Sequence, residues 1–183
     1  GVGKSGLIAS KIAATLSSVG TPSFSISAND CSHGDLGSIT NKDILILISN
    51  SGDSAELKNI IDYANKYKVK IISIVSKKNS MLYKSSDINL LIPPLTEAGF
   101  GIVPTTSTTL QLSMGDALAI SVMQLKKFSK LDFKKFHPAG NLGLKLKTVE
   151  ELMVTNNKIP KINQKEPLLK GINLIEKKKL GVL

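Results

Sequence analysis

The residues able to hold an anion or move a proton fall into a few short stretches. "SNSGDSAE", residues 49–56, follows an unbroken apolar run and sets Ser49, Asn50, Ser51 and Ser54 around one point. Hydroxyls, an amide and the unpaired backbone N–H groups of a helix start are what a phosphate monoester needs. "TEAGFGIVPTTSTT" places Glu97 in a glycine-containing loop before a Thr/Ser cluster. A carboxylate beside a second anion-friendly helix start is expected where a proton is moved on a phosphorylated substrate. "NDCSHGDLG" puts His33 in a loop as an acid/base candidate, and the other histidine, His137, stands in "HPAGNLG". Cys31 beside His33 suggests a Cys/His nucleophile, but no third orienting partner accompanies the pair. Each stretch also has a plainer structural reading: a polar turn, a solvated charge, a surface histidine, a capped loop.

The opening "GVGKSG" fits two nucleotide motifs in part. Gly1, Gly3 and Gly6 match G-x-G-x-x-G, and Gly3-Lys4-Ser5 matches the tail of a Walker loop. The Walker reading lacks its first glycine and a magnesium-binding acidic strand. The dinucleotide reading lacks a clear ribose-binding acid at the end of the second strand, where Ser27 stands. A loop that brings Lys4 and Ser5 to a substrate phosphate or hydroxyl explains the same residues with fewer missing parts.

The elements that must position these residues follow from periodicity. Leu7, Ile8, Ile12 and Leu16 recur at helical spacing from Lys4 to Ser18, with Gly20 as a stop. "TPSFSIS" reads as a short strand, and "DILILIS", "KIISIVS" and "INLLIP" as further strands, the first of these three buried on both faces and therefore parallel. Asp53 and Glu56 give a capping-box-like helix start, with Leu57, Ile60, Ile61 and Ala64 on its core face. A long helix is expected from about Thr106 to Lys126. Alternating β and α predicts a doubly wound parallel sheet flanked by helices, with ligands beyond the carboxyl ends of the strands.

Composition agrees with a globular α/β chain: 42% hydrophobic, 4% aromatic, 183 residues. One cysteine excludes an internal disulfide, which fits a reducing compartment. No apolar run is long enough for a membrane span. The net charge of +10 is spread over scattered lysines with little aromatic interleaving, a basic surface that attracts small anions rather than a nucleic-acid face. The glycine motif at residue 1 normally follows a strand, so the chain reads as a piece of a longer protein. Near residue 147 the character changes to a polar connection, an extended "IPKI" and one amphipathic helix, too little for a domain alone.

Taken in order, "GVGKSG", "HGDLG", "SNSGDSAE", "PTTSTTLQLSMGDALA" and "HPAGNLG" resemble the arabinose 5-phosphate isomerases of the sugar-isomerase (SIS) family over about residues 1–146. Residues 147–183 resemble the start of a CBS pair, cut off within its first repeat. The resemblance implies a Rossmann-like SIS domain that interconverts D-ribulose 5-phosphate and D-arabinose 5-phosphate for Kdo and lipopolysaccharide synthesis. It implies a cytoplasmic homotetramer with no organic cofactor, no resident metal, and no nucleic-acid or membrane partner. By position, Lys4, Glu56, Glu97 and His137 match the family's catalytic residues, and His33 lies in its active-site loop. Ser49, Asn50, Ser51 and Ser54 match the phosphate loop, with Ser5 and Thr108 near it and Gly20 and Thr21 toward the sugar. "EAGFGIVPT" is one residue shorter than the family's usual loop behind Glu97.

On this reading Glu97 or His33 shuttles the carbon proton, His137 and Lys4 handle ring opening and oxyanion charge, and Glu56 fixes a hydroxyl or orients a histidine. The main rival is a non-catalytic SIS module that senses a sugar phosphate, although no DNA-binding helix-turn-helix is visible. A second is a related isomerase acting on a hexulose or amino-sugar phosphate.

Overall fold

The computed structural model describes residues 1–138 and 146–183, which form two compact units, 1–137 and 138–183. The "HPAGNLG" motif beyond Pro138 lies outside the described residues.

In the first unit, α1 (Gly3–Ser18) leads through a long connection to β1 (Ile44–Ile48), α2 (Lys58–Tyr67) and β2 (Lys70–Val75). A short α3 (Met81–Ser85), β3 (Ile88–Leu91), α4 (Thr106–Leu125) and α5 (Lys130–Phe136) complete it. The strands form a parallel sheet in the order β1-β2-β3, with Ile44 opposite Lys70 and Ile72 opposite Ile88. Alternate residues of each apolar run face opposite ways, so both faces must be covered. Leu45, Leu47 and Ile71 meet Leu57, Ile60, Ala64 and Leu82 on one face. Ile48 and Ile74 meet Ile12, Leu16, Val19 and Ala119 on the other. This is the doubly wound arrangement expected.

Helices α1 and α4 run parallel. Ser5 bonds Gln111, Lys11 pairs with Asp116, Ile12 packs on Gly115, and Lys126 reaches Gly20. Since α4 follows β3 and runs back along the sheet, both helices start at the carboxyl ends of the strands. That fixes where a site can form.

Two local expectations are corrected. Residues 21–27 form no strand. The segment is held by Ser17, whose Oγ donates to Ser23 O (2.7 Å) and accepts from Ser23 N (3.1 Å). A cavity of about 440 Å³, lined by Ile12, Leu16, Phe24, Ile26 and Leu45 among others, takes in both this segment and β1. Without a neighbour at ladder distance, an extended segment has no partner for its backbone groups. The second correction is at Asp53, which does not cap its own helix. Its Oδ1 accepts from Met81 N at 2.8 Å, tying the loop after β1 to the start of α3, an element the sequence pattern did not reveal.

The second unit contains α6 (Val149–Leu152) and α7 (Leu168–Lys178), the latter being the expected amphipathic helix. Thr148 and Glu151 make a reciprocal capping box on α6. Lys178 Nζ donates to Asn157 O at 2.6 Å.

Candidate active site

The loop after β1 is built to present donors. Gly52 adopts φ +74, and a Cβ there would stand within 2.8 Å of Val75 Cγ2 and closer still to Ser80, so only glycine completes the turn. Asn50 O accepts from Ser76 N (3.1 Å) and Ser76 Oγ (2.6 Å), which pins the loop to the end of β2. Inside it, Ser49 Oγ accepts from Gly52 N at 3.0 Å and lies 2.9 Å from Ser54 Oγ. Ser51 Oγ accepts from Asp53 N at 3.3 Å. Among the described residues, no acceptor serves the backbone N–H groups of Ser51, Ser54 and Ala55. A 3₁₀ turn, Ala55–Leu57, then runs into α2 with no side-chain cap on its first turn. Ser49, Asn50, Ser51 and Ser54 thus converge on one uncapped helix start, a site for an anion.

The start of α4 is different. Glu97 Oε2 accepts from Thr105 N (2.9 Å) and Ser107 N (3.1 Å), while Thr105 Oγ1 accepts from Ala98 N at 3.0 Å. Gly99, Phe100 and Gly101 all take positive φ to fold the loop back, so that Glu97 bridges Gly101. The Ser107 side chain, then the Thr105 N–H, then further α4 N–H groups hold the Glu97 carboxyl down to about 2. The second anion-friendly helix start is therefore occupied by this protein's own carboxylate. Thr108 Oγ1 donates to Thr105 O at 2.8 Å within the same turn.

Lys4 and Ser5 lie on the first turn of α1, Lys4 exposed and Ser5 donating to Gln111 Oε1 at 3.1 Å. His33 is exposed at the end of a 3₁₀ turn, Asp30–His33, whose Ser32 Oγ accepts from Asn59 Nδ2 (2.8 Å) in the first turn of α2. That bond brings His33 to the same helix start as exposed Glu56. Lys4, Ser5, His33, Ser49–Ser54, Glu56, Glu97 and Thr108 therefore share the carboxyl-end rim of the sheet. Cys31 is buried, and burial pushes its thiol up, which makes it packing rather than a nucleophile.

Two groups of expected site residues are not at that rim. Gly20 O and Thr21 Oγ1 accept from Lys126 Nζ (3.1 and 2.9 Å), at the opposite end of α1, about 20 Å from Lys4 at 1.5 Å per residue. In the single chain Gly20 and Thr21 therefore stand apart from the other expected site residues: a helix of this length carries its two ends to opposite edges of the sheet. His137 is also remote. Its Nδ1 bonds Phe133 O (2.8 Å) and its ring stacks on Phe133. Phe136 stacks on Phe128, which packs against Gly20, so α5 is anchored at that far end.

Sequence reasoning missed Ser76, Ser107 and Gln111. The signal for the last two was present: Ser107, Gln111, Gly115 and Ala119 are the buried stripe of α4, spaced four apart, and two of them are polar. Among the described residues no three His, Cys, Asp or Glu side chains cluster to hold a metal ion, and no helix is long and apolar enough to cross a membrane.

A parallel sheet with a Ser-rich loop at the switch into a helix, facing a second helix start, is the frame of a sugar-phosphate domain. Residues 1–121 match the SIS domain, and the chain belongs to that family. It is 42% identical to arabinose 5-phosphate isomerase KdsD of Yersinia pestis over 184 residues, covering all of this chain and 56% of that protein. It is also 42% identical to the uncharacterized protein RP505 of Rickettsia prowazekii over 181 residues, 99% of this chain and 57% of that one. The chain spans about half the length of these curated relatives. Among solved structures, an E. coli CFT073 protein in complex with arabinose 5-phosphate matches 75% of this chain and 73% of its own, with 43% identity and a TM-score of 0.72.

Proposed function

We propose that the protein is an aldose–ketose isomerase interconverting D-ribulose 5-phosphate and D-arabinose 5-phosphate, in the service of Kdo and lipopolysaccharide synthesis. The observation that carries this is the pairing of an uncapped, hydroxyl-lined helix start with a carboxylate-bearing one at the same sheet edge. Similarity to KdsD over the whole chain, and to a structure bound to arabinose 5-phosphate, supports the choice of sugar.

The phosphate monoester sits on Ser49, Ser51, Ser54 and the free N–H groups at the start of α2. The sugar then extends along the rim toward Lys4. A base takes a proton from C1 of the ketose, and the electron pair forms the C1–C2 enediolate with its charge on O2. Transfer of the O1 proton to O2 and protonation at C2 then give the aldose, with its new carbonyl at C1. A carboxylate held near 2 is a poor proton acceptor at neutral pH, so Glu97 serves as a fixed negative charge that orients Lys4 and a sugar hydroxyl. His33, beside Glu56, is the proton shuttle, imidazole being the side chain most used for that work. Lys4 at the first turn of α1 stabilises the enediolate oxygen.

His137, anchored at the far end of α5, serves the site of a neighbouring copy in a homotetramer. Exposed Phe100, Ile120 and Leu125 supply apolar surface for such assembly. The second unit, in this reading, is the opening part of a CBS region.

The test is an isomerase assay on the intact protein with ribulose 5-phosphate, beside Glu97→Gln and His137→Ala. Turnover lost in both with arabinose 5-phosphate binding retained supports the enzyme. Mixing the two inactive variants should restore part of the activity if His137 acts across subunits. Tight binding with no turnover in the unmutated protein moves the assignment to a sugar-phosphate sensor.

A further inference from the structure

Gln111 is the largest buried polar side chain among the described residues, and its Nε2 is the one buried side-chain N or O atom among them without a hydrogen-bond partner. Its Oε1 accepts from Ser5 Oγ at 3.1 Å. The seam around it is apolar: Gly115, one turn on, admits Ile12 against α4, and Leu16 and Ala119 close the contact. Leucine would fill this seam without leaving amide hydrogens unpaired. A buried polar group in that state lowers stability, and such local misfits concentrate where function requires them.

What Gln111 connects shows what requires it. Ser5 adjoins Lys4 on the first turn of α1, a helix start with no side-chain cap and no acidic residue to fix it. One turn before Gln111 on α4 stands Ser107, whose N–H holds Glu97. Gln111 is thus the buried polar link from the helix bearing Lys4 to the helix end bearing Glu97, while the other α1–α4 pair near it, Lys11 with Asp116, lies at the surface. Apolar packing along the seam lets two parallel helices slide by fractions of an ångström; a hydrogen bond between named atoms does not.

The geometry points to Gln111 as a positioning residue of the isomerase site: through Ser5, its buried amide sets where the first turn of α1, and with it Lys4, stands relative to Glu97. This inference rests on the isomerase reading of the same site. Gln111 does not touch the sugar; it acts on where the reacting groups stand, and a small misplacement of such groups lowers the rate sharply.

The experiment is a double-mutant cycle in the intact protein: Ser5→Ala, Gln111→Leu and the pair. Gln111→Met, which keeps the volume and removes the amide, stands as control. Turnover of ribulose 5-phosphate, affinity for arabinose 5-phosphate by calorimetry and Tm are read for each. Gln111→Leu and Gln111→Met should lower kcat about ten- to a hundredfold. KM should stay within about twofold, because the phosphate loop is untouched, and Tm should hold or rise. Ser5→Ala should lower kcat alike, and the double variant should be no worse than the worse single one. A kcat that is unchanged, that falls only in step with Tm, or that falls by the product of the single losses overturns the inference while wild-type turnover leaves the isomerase reading standing. Wild-type protein that binds arabinose 5-phosphate without turning it over overturns both.

Discussion

Two helix starts stand at one edge of the sheet, and they are finished in opposite ways. At α2, Ser49 and Ser54 bond each other and the loop, and the N–H groups of Ser54 and Ala55, in the turn that leads into the helix, remain open. At α4, the same kind of N–H groups are taken by Glu97. A helix N-terminus favours negative charge whichever molecule supplies it. On the proposed reading the difference decides traffic: an incoming phosphate is drawn to α2, and α4 keeps a negative charge at the same edge. Two open starts would offer a sugar phosphate two orientations. One open and one closed would leave a single orientation, with the reacting end away from the Ser-rich loop.

The largest way to break this comparison is to close the open start. Gly52→Val puts a side chain where Ser80 and Val75 already stand and forces φ out of the left-handed region. Arabinose 5-phosphate affinity should fall at least about a hundredfold, and stability by about 1–3 kcal/mol, read by calorimetry and urea denaturation. Unchanged affinity would mean the phosphate sits elsewhere. Next in size is Ser54→Ala, which removes one hydroxyl and leaves the turn intact. Loss of one hydrogen bond to a charged oxygen is worth about 1.5–3 kcal/mol, so KM for ribulose 5-phosphate should rise by roughly tenfold or more with kcat held.

A smaller effect sharpens the closed start. The Glu97 carboxyl is held at about 2 against an ordinary 4.5, so its stabilising contribution is fully present above about pH 4.5 and is lost as pH falls through about 2. Glu97→Gln should flatten that part of the acid limb, measured by denaturant unfolding between pH 5 and 2. Asp43 and Asp87 keep their own lowered carboxyls and slopes in that variant. If the limb keeps its full steepness, Glu97 is not the cap that closes α4.

The sheet and its helices were legible because their signals are local: "DILILIS" and "KIISIVS" are runs that only a two-sided burial explains, and Leu57, Ile60, Ile61 and Ala64 repeat at helical spacing. The Ser-rich turn after β1 was legible for the same reason, since its hydroxyls are neighbours in sequence. What was not legible depends on partners distant in the chain. Residues 21–27 have strand composition but no ladder partner among the described residues, and composition cannot report that. Asp53 reads as a cap for the helix after it, yet bonds Met81 across the loop. Glu97 reads as a free base, and only the fold-back of Gly99–Gly101 turns it into a helix cap. Gly20 and Thr21 stand at the other end of a helix whose length alone separates them from Lys4, a separation that motif order does not report.

That last separation supplies the smallest prediction. Lys126 Nζ ties Gly20 O and Thr21 Oγ1 at an exposed surface, far from both helix starts. Lys126→Met keeps the aliphatic stem and removes the ammonium. Solvent-exposed contacts of this kind contribute about 0.2–1 kcal/mol, so Tm should move by only a few degrees at most. The value of kcat/KM should not move, because the proposed chemistry lies at the other end of α1. A drop in kcat/KM at unchanged Tm would show that the Gly20–Thr21 corner reaches a sugar after all. Since a single chain keeps that corner about 20 Å from Lys4, the sugar it reached would be in the site of a neighbouring copy.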